Sequence, residues 1–524
     1  MPTLEWIGKD KVINHHREVP YRVLDYKYSY GIDGQNVSDN RSENMIIHGD
    51  NLEVLKALLP RYAGRVNCIY IDPPYNTGNE GWVYNDNVSD PKIKKWLGET
   101  VGKEGEDLSR HDKWLCMMYP RLKLLQKLMA EDAVIFVSID DIEITYIRLI
   151  MDEIFGKTNF IAQLIWKSRQ NKDNRNITNV SNDHEYVLCY GTKLRGCLRD
   201  ISQYSNPDND PRGPWASANM VGLATEDARP NLHYDLINPE TGINYGKPLK
   251  GWRYDRNSMA RLIAENRILW PPTPSGRPRK KQFLSELSTE YTGYSSIVGD
   301  KFYTSDGTKE QMGIFGKVEF AFPKCSGFIS ELLEQATDKN SIILDSFAGS
   351  GTTAHAVLNM NKNDGGNRKF ILVEMEDYAE SITAERVKRV IKGYGDGKNE
   401  IEGTGGSFSY YELGNPLLQS DGNLNELIPM ESIREYIWFS ETRTDFSKVD
   451  SQDNDYFLGV VNNTAYYFYY EHESITTLDR KFLSSIKTKA DGYVIYAHLC
   501  TISNQELQIH NILFKKIPRD IAML

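Results

Sequence analysis

Cysteine is sparse in this 524-residue chain: Cys68, Cys116, Cys189, Cys197, Cys325 and Cys500 stand apart, with no CxxC pair. No zinc-like cluster can be assembled from that spacing, no metal is expected, and the pattern fits a reducing cytoplasm. No apolar run reaches membrane-spanning length, and the amino terminus lacks the basic-then-apolar order of a secretory signal, so no membrane role is expected. The sequence contains no GxxxxGK[ST], which excludes a P-loop nucleotide hydrolase. It also carries no helicase or nuclease signature, so any DNA cleavage would need a second polypeptide. Positive charge is not in excess: 62 Lys+Arg stand against 72 Asp+Glu, a net −10. The distribution is uneven, however. Residues 161–290 hold 19 Lys+Arg and 14 Asp+Glu, a net +5, which leaves −15 for the rest. Hydrophobic content of 40% and charged content of 26% are ordinary for a globular protein, and the length predicts two to four domains.

What is present centres on Ile69-Tyr70-Ile71-Asp72-Pro73-Pro74-Tyr75. The apolar run Val66–Ile71 reads as a buried strand. Pro73 and Pro74 end it, since neither can donate to a ladder, and Pro74 biases Pro73 toward an extended conformation. A carboxylate, a proline carbonyl and an aromatic ring are thereby held at a strand's carboxyl end, where open α/β sheets bind ligands. An exocyclic amine on a nucleobase is a poor nucleophile because its lone pair is delocalised into the ring. Asp72 and the Pro73 carbonyl could accept its two hydrogens and favour a tetrahedral nitrogen, while Tyr75 stacks on the base. A strand-terminating turn with a surface tyrosine is the plainer reading of the same residues.

In chain order, residues 1–45 read as a polar, aromatic arm packed on the main domain. Met45–His48 predicts a short strand and residues 51–59 a helix capped by Asp50 or Asn51. Residues 76–112 form a long Gly-, Asn- and charge-rich loop, with Trp82, Tyr84, Trp96 and the nearby Trp114 as candidates to pack on a base. A helix over 119–129, the strand 133–139 and a helix over 142–155 closed by Gly156 complete a strand–helix alternation that implies a parallel α/β sheet. From 157 to 300 the chain turns to strands and long loops mixing basic, amide and aromatic residues. Lys167, Arg169, Arg175, Arg253, Arg277, Arg279, Lys280 and Lys281, with Asn76 from the central loop, are candidates for phosphate or base contact.

The second landmark is Asp345-Ser346-Phe347-Ala348-Gly349-Ser350-Gly351-Thr352. A strand enters a glycine turn and a helix starts near Thr352, facing its N–H groups toward a ligand carboxylate or phosphate. Glu374 closes the strand Lys369–Glu374 and is placed to accept from ribose hydroxyls. The loop suits NAD as readily as S-adenosylmethionine. A helix over 378–391 turns Arg386, Lys388 and Arg389 to solvent, residues 396–406 read as a linker, and residues 407–524 read as a small, Tyr-rich α+β domain.

Taken together and in order, these motifs resemble the circularly permuted β class of amino-DNA methyltransferases. His48-Gly49-Asp50-Asn51, Asp72–Gly78, Val137–Asp140, Gly251-Trp252-Arg253-Tyr254, Phe347–His355, Phe370–Glu374 and Phe514–Ile521 resemble the modification subunits of type III restriction systems in particular. The resemblance implies an α/β fold with a seven-stranded Rossmann-like methyltransferase sheet, split into a catalytic half (46–156) and a cofactor half (301–395). Between them lies an inserted target-recognition domain (157–300), and a C-terminal interaction domain (407–524) follows. It implies that S-adenosylmethionine is held by Asp345, Phe347, Ala348, Gly349, Ser350, Gly351, Thr352 and Glu374, with Asp50 and Asn51 near the adenine ring. It further implies that Asp72, Pro73, Pro74 and Tyr75 act on a flipped-out base. The Asp-Pro-Pro-Tyr form points to adenine N6, with cytosine N4 as the alternative. Double-stranded DNA, a second copy of the chain and a helicase-nuclease restriction subunit are the implied partners. The family has Lys-Pro ahead of the glycine loop, whereas this chain has Lys324-Cys325, which leaves Lys324 without an assigned cofactor contact. A recognition scaffold with weak or no activity, an NAD oxidoreductase, and an RNA or protein-glutamine methyltransferase are the competing readings. Each leaves the Asp-Pro-Pro-Tyr loop, the insert or both unused.

Overall fold

The computed structural model describes residues 3–37, 41–76, 110–172, 179–444, 446 and 453–521. Thr77, Gly78, Trp82, Tyr84, Trp96 and Arg175 lie outside them. The chain divides into two compact units, Met1–Leu194 with Ser295–Leu524, and Arg195–Tyr294.

The first unit is a mixed α/β body built on an eleven-stranded sheet. In chain order its strands are β1 (Arg22–Gly31), β2 (Gly34–Asn36), β3 (Met45–His48), β4 (Val66–Ile71), β5 (Met129–Ile139), β6 (Phe160–Trp166), β7 (Glu185–Gly191), β8 (Ile297–Val298), β9 (Ile342–Asp345), β10 (Lys369–Glu374) and β11 (Ser407–Pro416). The spatial order is β8-β6-β7-β5-β4-β9-β10-β3-β11-β1-β2. From β5 across to β11 neighbouring strands run parallel, and antiparallel pairs flank them at β7–β5 and at β11–β1. The parallel strands are covered on both faces, so β4, β9 and β10 are runs of buried Ile, Leu, Val and Phe rather than alternating strands.

Three features differ from the sequence expectation. The sheet has eleven strands, not seven. Three of the additions come from segments read as an arm and as the start of a separate domain: β1 pairs antiparallel with β2 and with β11, and β11 lies parallel to β3 with Tyr410 opposite Ile46. The stretch read as one helix over 378–391 is a 3₁₀ turn at Asp377–Ala379, a π-helical turn at Glu380–Ala384 and an α-helix at Glu385–Lys392. Arg386 on that last helix is fully buried, not solvent-facing.

The carboxyl-terminal part of this unit carries a four-stranded sheet of Phe457–Val461, Thr464–Phe468, Gly492–Ala497 and Ile512–Lys516. Ala465, Tyr467, Ile495 and Ala497 bury one of its faces. Phe468, Val494 and Tyr496 on the other face join the same core as the helix Met430–Thr442 and β3. The second unit has its own small core of Met220, Tyr234, Leu236, Trp252, Met259, Leu262 and Ile268. A three-stranded antiparallel ribbon of Trp215–Asn219, Arg279–Phe283 and Ile268–Leu269 forms its frame. Among the described residues no helix is long and apolar enough to cross a membrane.

Candidate active site

The order of the parallel strands creates a switch point. After β4 the chain moves outward to β5, and after β9 it moves the opposite way to β10, so the connections diverge between β4 and β9. These two are direct neighbours, with Cys68 opposite Ile343 and Ile69 opposite Leu344. A crevice opens at such a point beyond the carboxyl ends of the strands. A cavity of about 680 Å³ occupies it, lined from β4 by Tyr70, Asp72, Pro73 and Tyr75 and from β9 by Asp345, Phe347, Gly349, Ser350 and Thr352. Thr353, residues 168–171 after β6, Glu185 at the start of β7, Thr304, Ser305 and residues 320–324 complete its wall.

The loop that carries Asp72 is pinned from below. Trp114, fully buried on the helix Arg110–Leu128, donates its indole N–H to the Pro74 carbonyl at 2.6 Å. Trp114 is therefore a brace and not a base-stacking platform. Asn76, in the left-handed region at φ 61°, is also buried and donates to Glu143 Oε1 at 2.5 Å, which removes it from the candidates for DNA contact.

Lys324 reaches the Asp72–Tyr75 stretch from the other half of the chain. Its ammonium donates to Asp72 Oδ1 at 3.1 Å, to Asp72 Oδ2 at 2.9 Å and to the Tyr75 hydroxyl at 2.8 Å, with Glu185 Oε2 at 3.3 Å. Tyr75 in turn donates to Glu185 Oε2 at 3.0 Å. Burial pushes the Asp72 carboxyl up, and Lys324 pulls it back only in part. Burial pulls the Lys324 ammonium down, but Asp72 and Glu185 together outweigh it and hold it above the ordinary lysine value.

The glycine turn is shaped by backbone no other residue adopts easily. Gly349 and Gly351 have φ of 51° and 81°, and a Cβ on either would lie 3.0 Å from Phe320 and from the Thr383 carbonyl, respectively. Gly349 N–H donates to Glu374 Oε2 at 2.8 Å, and Glu376 N–H donates to Oε1 at 3.0 Å. Asp345 accepts from the Phe347 N–H at 3.0 Å and from the Thr353 hydroxyl at 2.5 Å. Burial pushes both carboxyls up to about 7, against the pull of these donors. Asp50 caps the helix Asn51–Tyr62 by accepting from Leu52 and Glu53 N–H, and Asn51 donates to the Ser346 carbonyl at 3.2 Å. Asp50, Asn51, Ala348, Gly351 and Glu374 are not on the cavity wall, although Gly49 N–H donates to the Glu374 carbonyl at 3.0 Å and so ties the ends of β3 and β10 together.

A DNA methylase family model matches residues 66–385, which spans both landmarks. The chain belongs to the DNA methylase family. It is 31% identical to the type III restriction-modification enzyme StyLTI Mod subunit of Salmonella typhimurium over 80% of this chain and 68% of that relative. It is 32% identical to the EcoPI Mod subunit of Escherichia phage P1 over 72% of this chain and 64% of the relative. Against the type II methyltransferase M.KpnI of Klebsiella pneumoniae the identity is 33% over 64% of this chain and 81% of the relative. The chain thus spans about two thirds of the length of the Mod relatives.

In this methylase the remaining candidates divide clearly. Lys167 and Arg169 are exposed just after β6, and Arg169 stands on the cavity wall. Arg253, Arg277 and Arg279 are exposed in the second unit, and Lys280 lies 5.5 Å from the Tyr254 ring. Lys281 is buried and paired with Asp208 and with Asp210 at 3.1 Å, an internal brace that cannot reach phosphate. Two participants were not among the sequence candidates for the site. Glu185 opens an ordinary strand. Arg386, from beneath the glycine turn, donates to Ser350 Oγ at 2.9 Å, Thr352 Oγ1 at 2.8 Å and Glu310 at 2.9 Å, while Glu310 accepts from the Ser326 N–H at 3.0 Å.

Proposed function

We propose that this methylase transfers a methyl group from S-adenosylmethionine to the N6 amine of an adenine rotated out of double-stranded DNA, as the modification subunit of a type III restriction-modification system. The observation that carries the reading is the shared cavity. Asp72, Pro73 and Tyr75 face Phe347, Gly349 and Thr352 across one crevice, although they come from opposite ends of the matched segment. The sheet around that crevice is read as the permuted, Rossmann-like methyltransferase core.

The residues fit the donor. Gly349 provides a place where backbone can approach closely, the helix Thr352–Asp364 starts at the cavity wall, and the buried Glu374, set behind that wall, would supply an acceptor. Phe347, Gly349, Ser350 and Thr352 would hold its methionine end and Glu374 its ribose, with Asp50 and Asn51 toward the adenine. When bound, it supplies an electrophilic methyl group on a sulfonium. Extruding the base costs on the order of a few kcal/mol, and stacking on Tyr75 returns roughly 1–3 kcal/mol. Asp72 and the Pro73 carbonyl orient the amine, draw its nitrogen toward a tetrahedral form and stabilise the positive charge that builds there. The proton then leaves to solvent. Catalysis in this reading is positioning, and the brace from Trp114 to Pro74 keeps the acceptors fixed.

Exposed Arg169 and Lys167, together with Arg253, Arg277, Arg279 and Lys280, would contact DNA, and the unit Arg195–Tyr294 would read its sequence. A second copy of the chain and a helicase-nuclease subunit complete the assembly. Asp72→Ala in the full chain should abolish transfer of tritiated methyl groups to unmodified genomic DNA while calorimetry still detects cofactor binding. Equal loss of both in a folded protein would make Asp72 structural. Modification-sensitive sequencing of the DNA identifies the base, and N4-methylcytosine would replace the adenine reading.

A further inference from the structure

The Lys324 ammonium occupies the position that the target amine requires. It presents N–H donors to both oxygens of Asp72 and to the Tyr75 hydroxyl, on a side chain only 9% exposed, while its ring contacts put it 4.9 Å from the Tyr75 centroid and 5.7 Å from that of Trp166. An extruded base needs the same carboxylate and the same ring. An ammonium that stayed would also face the positive charge growing on the amine nitrogen, a repulsion little screened at this depth. It must therefore leave Asp72 before methyl transfer. Glu185 is the place to go. Its Oε2 is already 3.3 Å from Lys324 Nζ, it is 20% exposed, and it accepts from Tyr75, so moving toward it keeps the cation paired without leaving the site. The backbone of Lys324 stays put, because Thr352 Oγ1 donates to its carbonyl at 3.2 Å. The movement is confined to the side chain.

We propose that Lys324 is a stand-in for the substrate amine that keeps Asp72 occupied in the empty site, and that Glu185 is the positioning residue that receives the ammonium when an exocyclic amine displaces it. This rests on the reading of Asp72 as the amine acceptor. The pair also screens the substrate: only a group able to donate into Asp72 and stack on Tyr75 can evict the lysine, so bases lacking an exocyclic amine leave the site closed.

The test uses the full-length protein, tritiated S-adenosylmethionine and genomic DNA from a strain lacking the gene, assayed at about pH 8.5, well above the ordinary carboxylate range. Glu185→Gln leaves the ammonium with Asp72 as its one charged partner among these groups. It should lower kcat by roughly ten- to a hundredfold, the span of one hydrogen bond to a charged group, with the cofactor Kd unchanged. Adding Lys324→Met removes the ammonium that Glu185 would have received, and the double variant should recover most of that loss. A merely structural Glu185 gives losses that add, so a double variant no better than Glu185→Gln alone overturns the proposal. Asp72→Ala is run beside them. If it still methylates DNA, the amine-acceptor reading itself has failed, whereas a dead Asp72→Ala with additive losses in the other two removes only the stand-in.

Discussion

If Glu374 holds the cofactor ribose as proposed, cofactor affinity becomes a function of pH in a range where free carboxylates do not titrate. Its carboxyl is buried at the end of β10 and pushed up to about 7, because burial outweighs the N–H groups of Glu376 and Gly349 that favour the charged form. Each oxygen already accepts one backbone hydrogen and keeps a second lone pair for a ribose hydroxyl. Protonation converts one oxygen into a donor and removes that acceptor. The sign follows directly: the ionised form binds, its value lies above the ordinary carboxylate range, and affinity is lost as pH falls through about 7. Between pH 8 and pH 6 the ionised fraction drops from about nine-tenths to about one-tenth, so Kd should rise about tenfold, or ~1.4 kcal/mol. Isothermal titration of the cofactor in two buffers of different ionisation enthalpy should also show about half a proton released per cofactor at pH 7. Asp345 lies at a similar value, but its oxygens hold Thr353 and Phe347 within the turn. Glu374→Gln should therefore flatten the profile with Asp345 still present. The same slope and proton count in that variant would refute the reasoning.

Two other perturbations probe the supports of the site. Arg386→Met leaves Glu310, 23% exposed, without its buried cation, and should cost about 3–5 kcal/mol toward the lower end. The double change Arg386→Met with Glu310→Gln should recover most of it in urea denaturation, and equal losses would mean the pair is not the cause. Trp114→Phe removes the N–H that pins Pro74 and leaves a buried carbonyl unpaired, a cost of about 1–3 kcal/mol. Its kcat should fall while the cofactor Kd holds, so a variant with unchanged turnover would show that the Asp72 loop needs no brace.

The elements legible in the sequence were those whose cause is local. Asp50 announces a helix because a side-chain oxygen is needed for Leu52 and Glu53 N–H, and Ile71 ends a strand because prolines follow. What escaped depends on partners far away. Tyr26, Tyr28 and Tyr30 alternate as a strand should, but without β11 the alternation has no sheet to belong to, since Tyr28 finds Tyr410 from the other end of the chain. Charge hid Arg386. The i,i+4 spacing to Val390 set it on a buried face of its helix, and only its residue type argued for solvent. Glu185 and Lys324 had the same handicap: an ordinary acid and an ordinary base, significant only because β7 and the segment before Ser326 bring them to Asp72.

The site is thus a property of strand order more than of either motif. β4 delivers Asp72 and β9 delivers the glycine turn, and each connection then leaves in its own direction, so a crevice opens between their carboxyl ends. Where the chain starts does not matter to that geometry, provided β4 and β9 remain neighbours. The pairing of Cys68 with Ile343 and of Ile69 with Leu344 is consequently what registers Asp72 against the glycine turn. A one-residue slip there would move Asp72 by about 3.3 Å along its strand and turn its side chain to the other face. The apolar, buried residues of both strands prevent such a slip, and their packing fixes the distance between Asp72 and the glycine turn.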